Sequence, residues 1–375
     1  ECFRAAWEAT LAQLTDAYQG LERGRGEPSS AQEALQQLLR AMAAAVIARP
    51  DHARLLLVEV LSIGGEGPGY RRRLTRLLES WIGDAVEAAP GSSTIAASAR
   101  TVVACGVLQV VDQRLRAGRV RQLRSVVDDL ATWAVSYETS TPLPAHRALG
   151  TPQAAPTPPR QLPLPRGHQK LPRSFVDRYQ RERILQAVTL LAVHDGYAGV
   201  TVPEIVSCAR ISNKTFYDHF ASRDEAFLAA YDEAFADLFA ASWAAAGEHR
   251  DWIDGVRAGV RAWVDYLVAD PLKARFGFYD VLTGGGDGAA KVDESYKAFA
   301  HLLGYGFEHL PPDRSVPAIT PYAIVAGIAG LVSDWVVSGR THDLHELAPD
   351  LCYVALAPFL GDPEARTSAE KLQAA

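Results

Sequence analysis

Three short stretches recur in the same order in the two halves of this chain, and that recurrence limits its architecture more than any single residue does. Glu1-Cys2-Phe3-Arg4-Ala5-Ala6-Trp7 parallels Glu225-Ala226-Phe227-Leu228-Ala229-Ala230-Tyr231. Val60-Leu61-Ser62-Ile63-Gly64-Gly65-Glu66-Gly67 parallels Val281-Leu282-Thr283-Gly284-Gly285-Gly286-Asp287-Gly288. Each half then has a long apolar helical pattern closing on Gly-Arg, at Gly118-Arg119 and Gly339-Arg340, followed by a last helix. The step from Val60 to Val281 equals that from Gly118 to Gly339, and the step from Glu1 to Glu225 is only slightly longer. Small insertions alone therefore separate the halves. Chance recurrence among alanine-rich helices is the alternative, and three ordered matches weigh against it. A chain of 375 residues has room for at least two cores.

Apolar residues make up 48% of the chain, and β-branched alternation is scarce, so helices are expected throughout. Over 31–48 the residues Leu35, Leu38, Leu39, Met42 and Val46 fall on one face. After a break at Arg49-Pro50-Asp51, helices are predicted over 55–63, 70–88, 95–116 and about 120–137. Beyond the middle they are predicted over 226–246, 252–269, 272–283, 291–303, 321–339 and 344–360. Between the halves, nine prolines from Pro142 to Pro172 mark a polyproline-like spacer without apolar periodicity. A partner-binding role for Pro163-Leu164-Pro165-Arg166 is the weaker alternative there.

The net charge of −6 excludes a globally basic coat, so any contact with nucleic acid must be local. A local excess exists: from Arg160 to Arg183 there are Arg160, Arg166, Lys170, Arg173, Arg178, Arg181 and Arg183 against Asp177 and Glu182. Cys2, Cys105, Cys208 and Cys352 are scattered without a C-x-x-C pair or a secretory leader, which points to a reduced cytoplasmic compartment. No uninterrupted apolar run reaches the roughly 18 residues of a membrane span, so no membrane partner is expected.

Chemistry concentrates in Thr201 to Phe227, which reads as two short helices, a turn and the start of a third. Thr201 suits an N-cap, with Pro203 in the first turn behind it. Ile205, Val206 and Ala209 supply an apolar side; Ile211 breaks the pattern, and Ser212 offers a second cap. In the next helix Phe216 and Phe220, four apart, point inward together. Asn213, Lys214, Thr215 and Tyr217 are left outward, the mixture of donors and acceptors that a helix needs to read a major groove.

With the preceding stretch Ile184 to Val202, this segment resembles the N-terminal DNA-binding domain of TetR-type (tetracycline-repressor-like) transcriptional regulators. The resemblance rests on Gly196-Tyr197, Thr201-Val202, Thr215-Phe216-Tyr217 with His219-Phe220, and Arg223-Asp224-Glu225, and it covers about fifty residues. Two departures stand out: Arg210 takes the place of the usual turn glycine, and Asp218 adds a negative charge to the reading helix. The resemblance implies an all-α fold: a helix-turn-helix domain with two TetR-type helical ligand and dimerisation domains. The domain boundaries expected are 1–140 for the first helical domain, 141–172 for the linker, 173–224 for the DNA-binding domain, 225–362 for the second helical domain and 363–375 for a tail. The repeat then makes the first half a second unit whose own reading domain would have preceded Glu1.

On that resemblance the function expected is sequence-specific binding of a double-stranded DNA operator, with repression relieved by a small-molecule effector in a bacterial, nucleoid-associated setting. Asn213, Lys214 and Tyr217 are the base or groove candidates; Arg178, Thr201, Ser212, Thr215, His219 and Arg223 are the phosphate-side candidates. An effector cavity would draw on Trp263, Tyr266, Phe276, Tyr279, Tyr296, Phe299 and Trp335, where aromatic residues are dense. The last two helices of each half would pair as an intramolecular pseudo-dimer, with a homodimer of chains as the alternative. No catalytic constellation, metal site or cofactor is expected: the glycine clusters lack nucleotide-loop spacing, and His342 with His345 suit an exposed helix start better than a metal. A partner-binding scaffold with a vestigial DNA reader is the competing function.

Overall fold

The computed structural model describes residues 2–24, 28–63, 66–91, 94–139 and 172–373, and among them every element longer than two residues is helical. The first half comprises α1 (Cys2–Gly24), α2 (Ala31–Ala48), α3 (Pro50–Leu57), α4 (Gly67–Glu87), α5 (Ala97–Arg116) and α6 (Leu123–Val135). There follow α7 (Arg173–Gly199), α8 (Val202–Ala209), α9 (Asn213–His219), α10 (Arg223–Gly247), α11 (Trp252–Ala269), α12 (Pro271–Arg275) and α13 (Val281–Thr283). The chain ends with α14 (Gly286–Leu303), α15 (Thr320–Val337), α16 (Leu344–Leu360) and α17 (Asp362–Gln373). Two-residue strands β1 (Thr94–Ile95) and β2 (Glu138–Thr139) pair antiparallel and tie the start of α5 to the end of α6.

Helix ends obey the same local chemistry in both halves. Ser30 caps α2 by accepting from the Glu33 N–H, and Asp251 caps α11 by accepting from the Asp254 N–H. Pro50 opens α3 and Pro271 opens α12, where a missing N–H costs nothing. After α5 and α15 the chain turns through left-handed glycines, Gly118 at φ 66° and Gly339 at φ 72°. Arg119 N–H then reaches back to Arg114 O at 2.8 Å, and Arg340 N–H to Trp335 O at 2.9 Å. The members of each pair are separated by the same step as Val60 and Val281, so caps, prolines and turn glycines keep the spacing of the sequence matches.

The two halves share one core. α5 lies along α15, and small residues bring the backbones together: a Cβ on Gly106 would stand 2.5 Å from Ala323 O, and one on Gly327 2.2 Å from Val102 O. Around this seam Tyr137 donates to Val354 O at 2.8 Å, Gln113 donates to Asp293 at 3.1 Å, and Arg72 binds Asp334 and Ser338. A single apolar cluster therefore runs from Trp7 through Val102 and Val332 to Phe359. A second, smaller cluster joins α7–α9 to the start of α10 and to Leu272, Phe276, Val281 and Val292. By length and composition α15 could cross a membrane, but 61% of it is buried between other helices.

Several predicted bounds shift for identifiable reasons. The helix predicted over 55–63 is α3 followed by a 3-10 turn at Glu59–Ile63, because Pro50 starts the helix rather than breaking it. The stretch 272–283 is broken by a π-turn at Phe276–Asp280. The segment beyond 362, expected only as a tail, is the helix α17, whose Ala365 and Ala369 are buried four residues apart. The proline-rich spacer, with Arg160, Arg166 and Lys170, lies outside the described residues, as do Gly64 and Gly65.

Candidate nucleic-acid interface and its neighbouring cavity

The reading head is built from caps outward. Thr201 and Glu204 form a reciprocal box: the Glu204 N–H donates to Thr201 Oγ1 at 3.4 Å, and the Thr201 N–H donates to Glu204 Oε2 at 3.3 Å. α8 buries Ile205 and Ala209 and stops at Arg210, whose φ of 51° is left-handed. Ile211 N–H closes the turn on Val206 O at 3.1 Å. Ser212 then caps α9, accepting from the Thr215 N–H at 3.0 Å. Phe216 and Phe220 are buried at 0% and 4% exposure, which fixes how α9 is rotated on the core.

That rotation leaves Asn213, Lys214 and Tyr217 outward, with Tyr217 59% exposed. Lys214 Nζ sits 2.9 Å from the Asp218 carboxylate, but both side chains are largely solvated. Such a pair contributes under about 1 kcal/mol and is readily exchanged for a phosphate or a base edge. The negative charge of Asp218 therefore orients Lys214 without locking it. Thr215 and His219 are half-buried, and Thr215 Oγ1 lies 2.9 Å from Ser212 Oγ.

The remaining cations divide. Arg178 is exposed over the Phe175 ring, 3.9 Å from Glu182. Arg181 is held by Glu233 at 2.5 Å and covers Phe220. Arg223 stacks 4.6 Å over Tyr197 and donates to Val200 O at 3.2 Å and to Asp224 at 3.0 Å. Its guanidinium thus clamps the turn before α8 as well as facing outward.

Beside the head, α10, α11, α14 and α15 enclose a cavity of about 430 Å³. Trp263, Tyr266, Tyr296 and Phe299 line it, together with Phe235, Val260 and Phe278. Phe276, Tyr279 and Trp335 are not brought to it: all three are buried in cores, and the Phe276 ring packs edge-on to Phe227 at 5.1 Å. Phe235 and Val260 could have been found from the apolar faces of their helices rather than from aromatic density. The Tyr231 hydroxyl donates to Ser295 at 2.8 Å, and the Tyr266 hydroxyl to Ala234 O at 3.3 Å.

The π-turn joins cavity to head. Gly277 and Phe278 face the cavity, while Phe276 belongs to the core of the head. Asp280 closes the turn at 3% exposure, with its Oδ2 3.4 Å from Arg275 Nε. Burial pushes its carboxyl up to about 7, against the opposing pull of Arg275. Among the described residues no group of three or more His, Cys, Asp or Glu side chains gathers as a metal site, and His345 instead faces Asp265 at 3.4 Å.

The family profile described as bacterial regulatory proteins, tetR family, matches residues 184–230, from the middle of α7 into α10. Comparison with curated proteins gave no match. Among solved structures, a TetR family transcription regulator from Marinobacter aquaeolei VT8 aligns at 14% identity and a TM-score of 0.39, over 53% of this chain and 96% of that one. Capped α8, buried Phe216 and Phe220 and the outward face of α9 all fall inside the matched segment. Residues 184–230 therefore carry a helix-turn-helix domain similar to the DNA-binding domain of tetR-family bacterial regulatory proteins.

Proposed function

We propose that this chain is a repressor which recognises one operator sequence in double-stranded DNA and lets go when a small apolar molecule enters the cavity beside the head. The observation that carries the reading is the π-turn, one segment whose Phe278 faces the cavity and whose Phe276 packs inside the head. A ligand that favours one arrangement of this turn biases both sites through it. Asn213, Lys214 and Tyr217 read bases; Arg178, Thr201, Ser212, Thr215, His219 and Arg223 face the backbone. The chain works as two helical units, 1–140 and 225–362, paired on each other through α5 and α15 as an intramolecular pseudo-dimer in the cytoplasm. The constant spacing between matching caps, prolines and left-handed glycines supports that division.

Selection of bound duplexes from a random pool, followed by footprinting, tests the DNA half of the reading. One protected sequence is expected, and release of that complex by an apolar compound binding beside Trp263 is expected with it. Equal affinity for all duplexes would favour the scaffold alternative, and a complex unaffected by cavity ligands would remove the effector.

A further inference from the structure

The first half has a cavity of its own, of about 540 Å³, between α1, α2, α3, α4 and α5. Its inner wall is aliphatic, formed by Met42, Val46, Leu57, Leu74, Leu78 and Leu108, with Trp81 beside them. Besides the buried Thr10, its polar lining consists of Gln13, Asp16 and Arg49, which are exposed, and His52, which is half-buried. A cavity this size, apolar within and polar on one rim, fits a small molecule with one polar end.

Position by position this cavity occupies the place in the first half that the other has in the second, yet its chemistry differs. Met42 stands for Trp263, Leu57 for Phe278, and Leu78 for Phe299, so flat aromatic faces are replaced by flexible aliphatic ones. The rim changes more. In the later cavity Lys273 is held by the Asp237 carboxylate at 3.5 Å. Asp237 itself lies outside that lining, whereas in the earlier cavity Gln13 and Arg49 both line the space, and Arg49 Nη1 donates to the neutral Gln13 Oε1 at 2.5 Å. A neutral acceptor leaves a guanidinium able to take a carboxylate in its place, the stronger partner. Asp16 on the same rim works against a second negative charge.

We infer that the first half holds a second small-molecule site, for a single-chain aliphatic monocarboxylate with its tail against Leu74, Leu78 and Leu108 and its carboxylate on Arg49. This site needs neither the DNA-binding reading nor the division into repeated units.

Titrating the full chain with dodecanoate carrying a terminal bromine tests it, because bromine quenches indole fluorescence on contact and Trp81 lies in the wall. Saturable quenching is expected, with the Trp81 share absent in Trp81→Phe. Arg49→Gln should weaken dodecanoate about tenfold or more and leave dodecanol unchanged, and dodecanedioate should bind less well than dodecanoate. Arg49 is exposed and its replacement leaves the core intact, so that variant decides the matter even if losing the Tyr18–Trp81 stack unsettles the fold. No saturable quenching, quenching unchanged in Trp81→Phe, or affinity unchanged in Arg49→Gln would overturn the assignment.

Discussion

Lys214 and Tyr217 owe their position to their neighbours Phe216 and Phe220, whose burial turns α9 so that the cation and the phenol face out. If both meet base edges, replacing either with alanine should cost about 1–3 kcal/mol on the selected operator and far less on random duplex. Fluorescence anisotropy on the two duplexes checks this, and equal losses would make them backbone contacts only. Asp280 offers a test by pH. An unburied Asp carboxyl titrates near 3.8, and this one is raised to about 7. Between those values the folded chain holds a proton that the unfolded chain has lost, so this residue's contribution to stability falls as pH rises from about 4 to 7. Asp280→Asn removes that penalty and should stabilise the protein at pH 8, by on the order of 2–4 kcal/mol, with little gain below pH 4. Melting curves across that range measure it; an equal gain at both ends would show the carboxyl is not the cause.

Among the helices, legibility followed local chemistry. α2 and α11 lie where they were predicted because their apolar faces and capping side chains are local to the segment. The head was legible for the same reason: Thr201, Ser212 and the Phe216–Phe220 spacing are local signals, confirmed as caps and core. What the sequence did not disclose depends on distant partners. The π-turn has no signature of its own, and whether Phe276 faces the cavity or the head is decided by Phe227, far back on α10. The strand pair needs Thr94 to meet Thr139 across the whole of α5 and α6. The α5–α15 seam likewise shows as glycines whose purpose appears only when the helices meet. Gly327→Ala should cost about 1–3 kcal/mol, since its methyl meets the Val102 carbonyl rather than a side chain that can move. Gly69→Ala, with nothing within 4 Å, should cost nothing or gain slightly. Calorimetry on the two variants separates them, and a tolerated Gly327→Ala would mean that the helices part easily.

For the molecule as a whole, the seam predicts how it assembles. The faces of α5 and α15 bury each other within one chain, and Tyr137, Gln113 and Arg72 bond across. Sedimentation at micromolar concentration should therefore give the mass of one chain, and cleavage within 141–172 should leave the halves together. A stable mass of two chains would refute the closed form. The seam also bears on how such a protein can change over generations. In a pair of identical chains every substitution is made twice, on both sides of the axis at once. Here α5 and α15 are encoded separately, so a change at Gly327 meets an unaltered Val102, and one wall can drift while the other holds. On the proposed pairing of two units, Met42 against Trp263 and Arg49 against Asp270 are differences that no pair of identical subunits could carry.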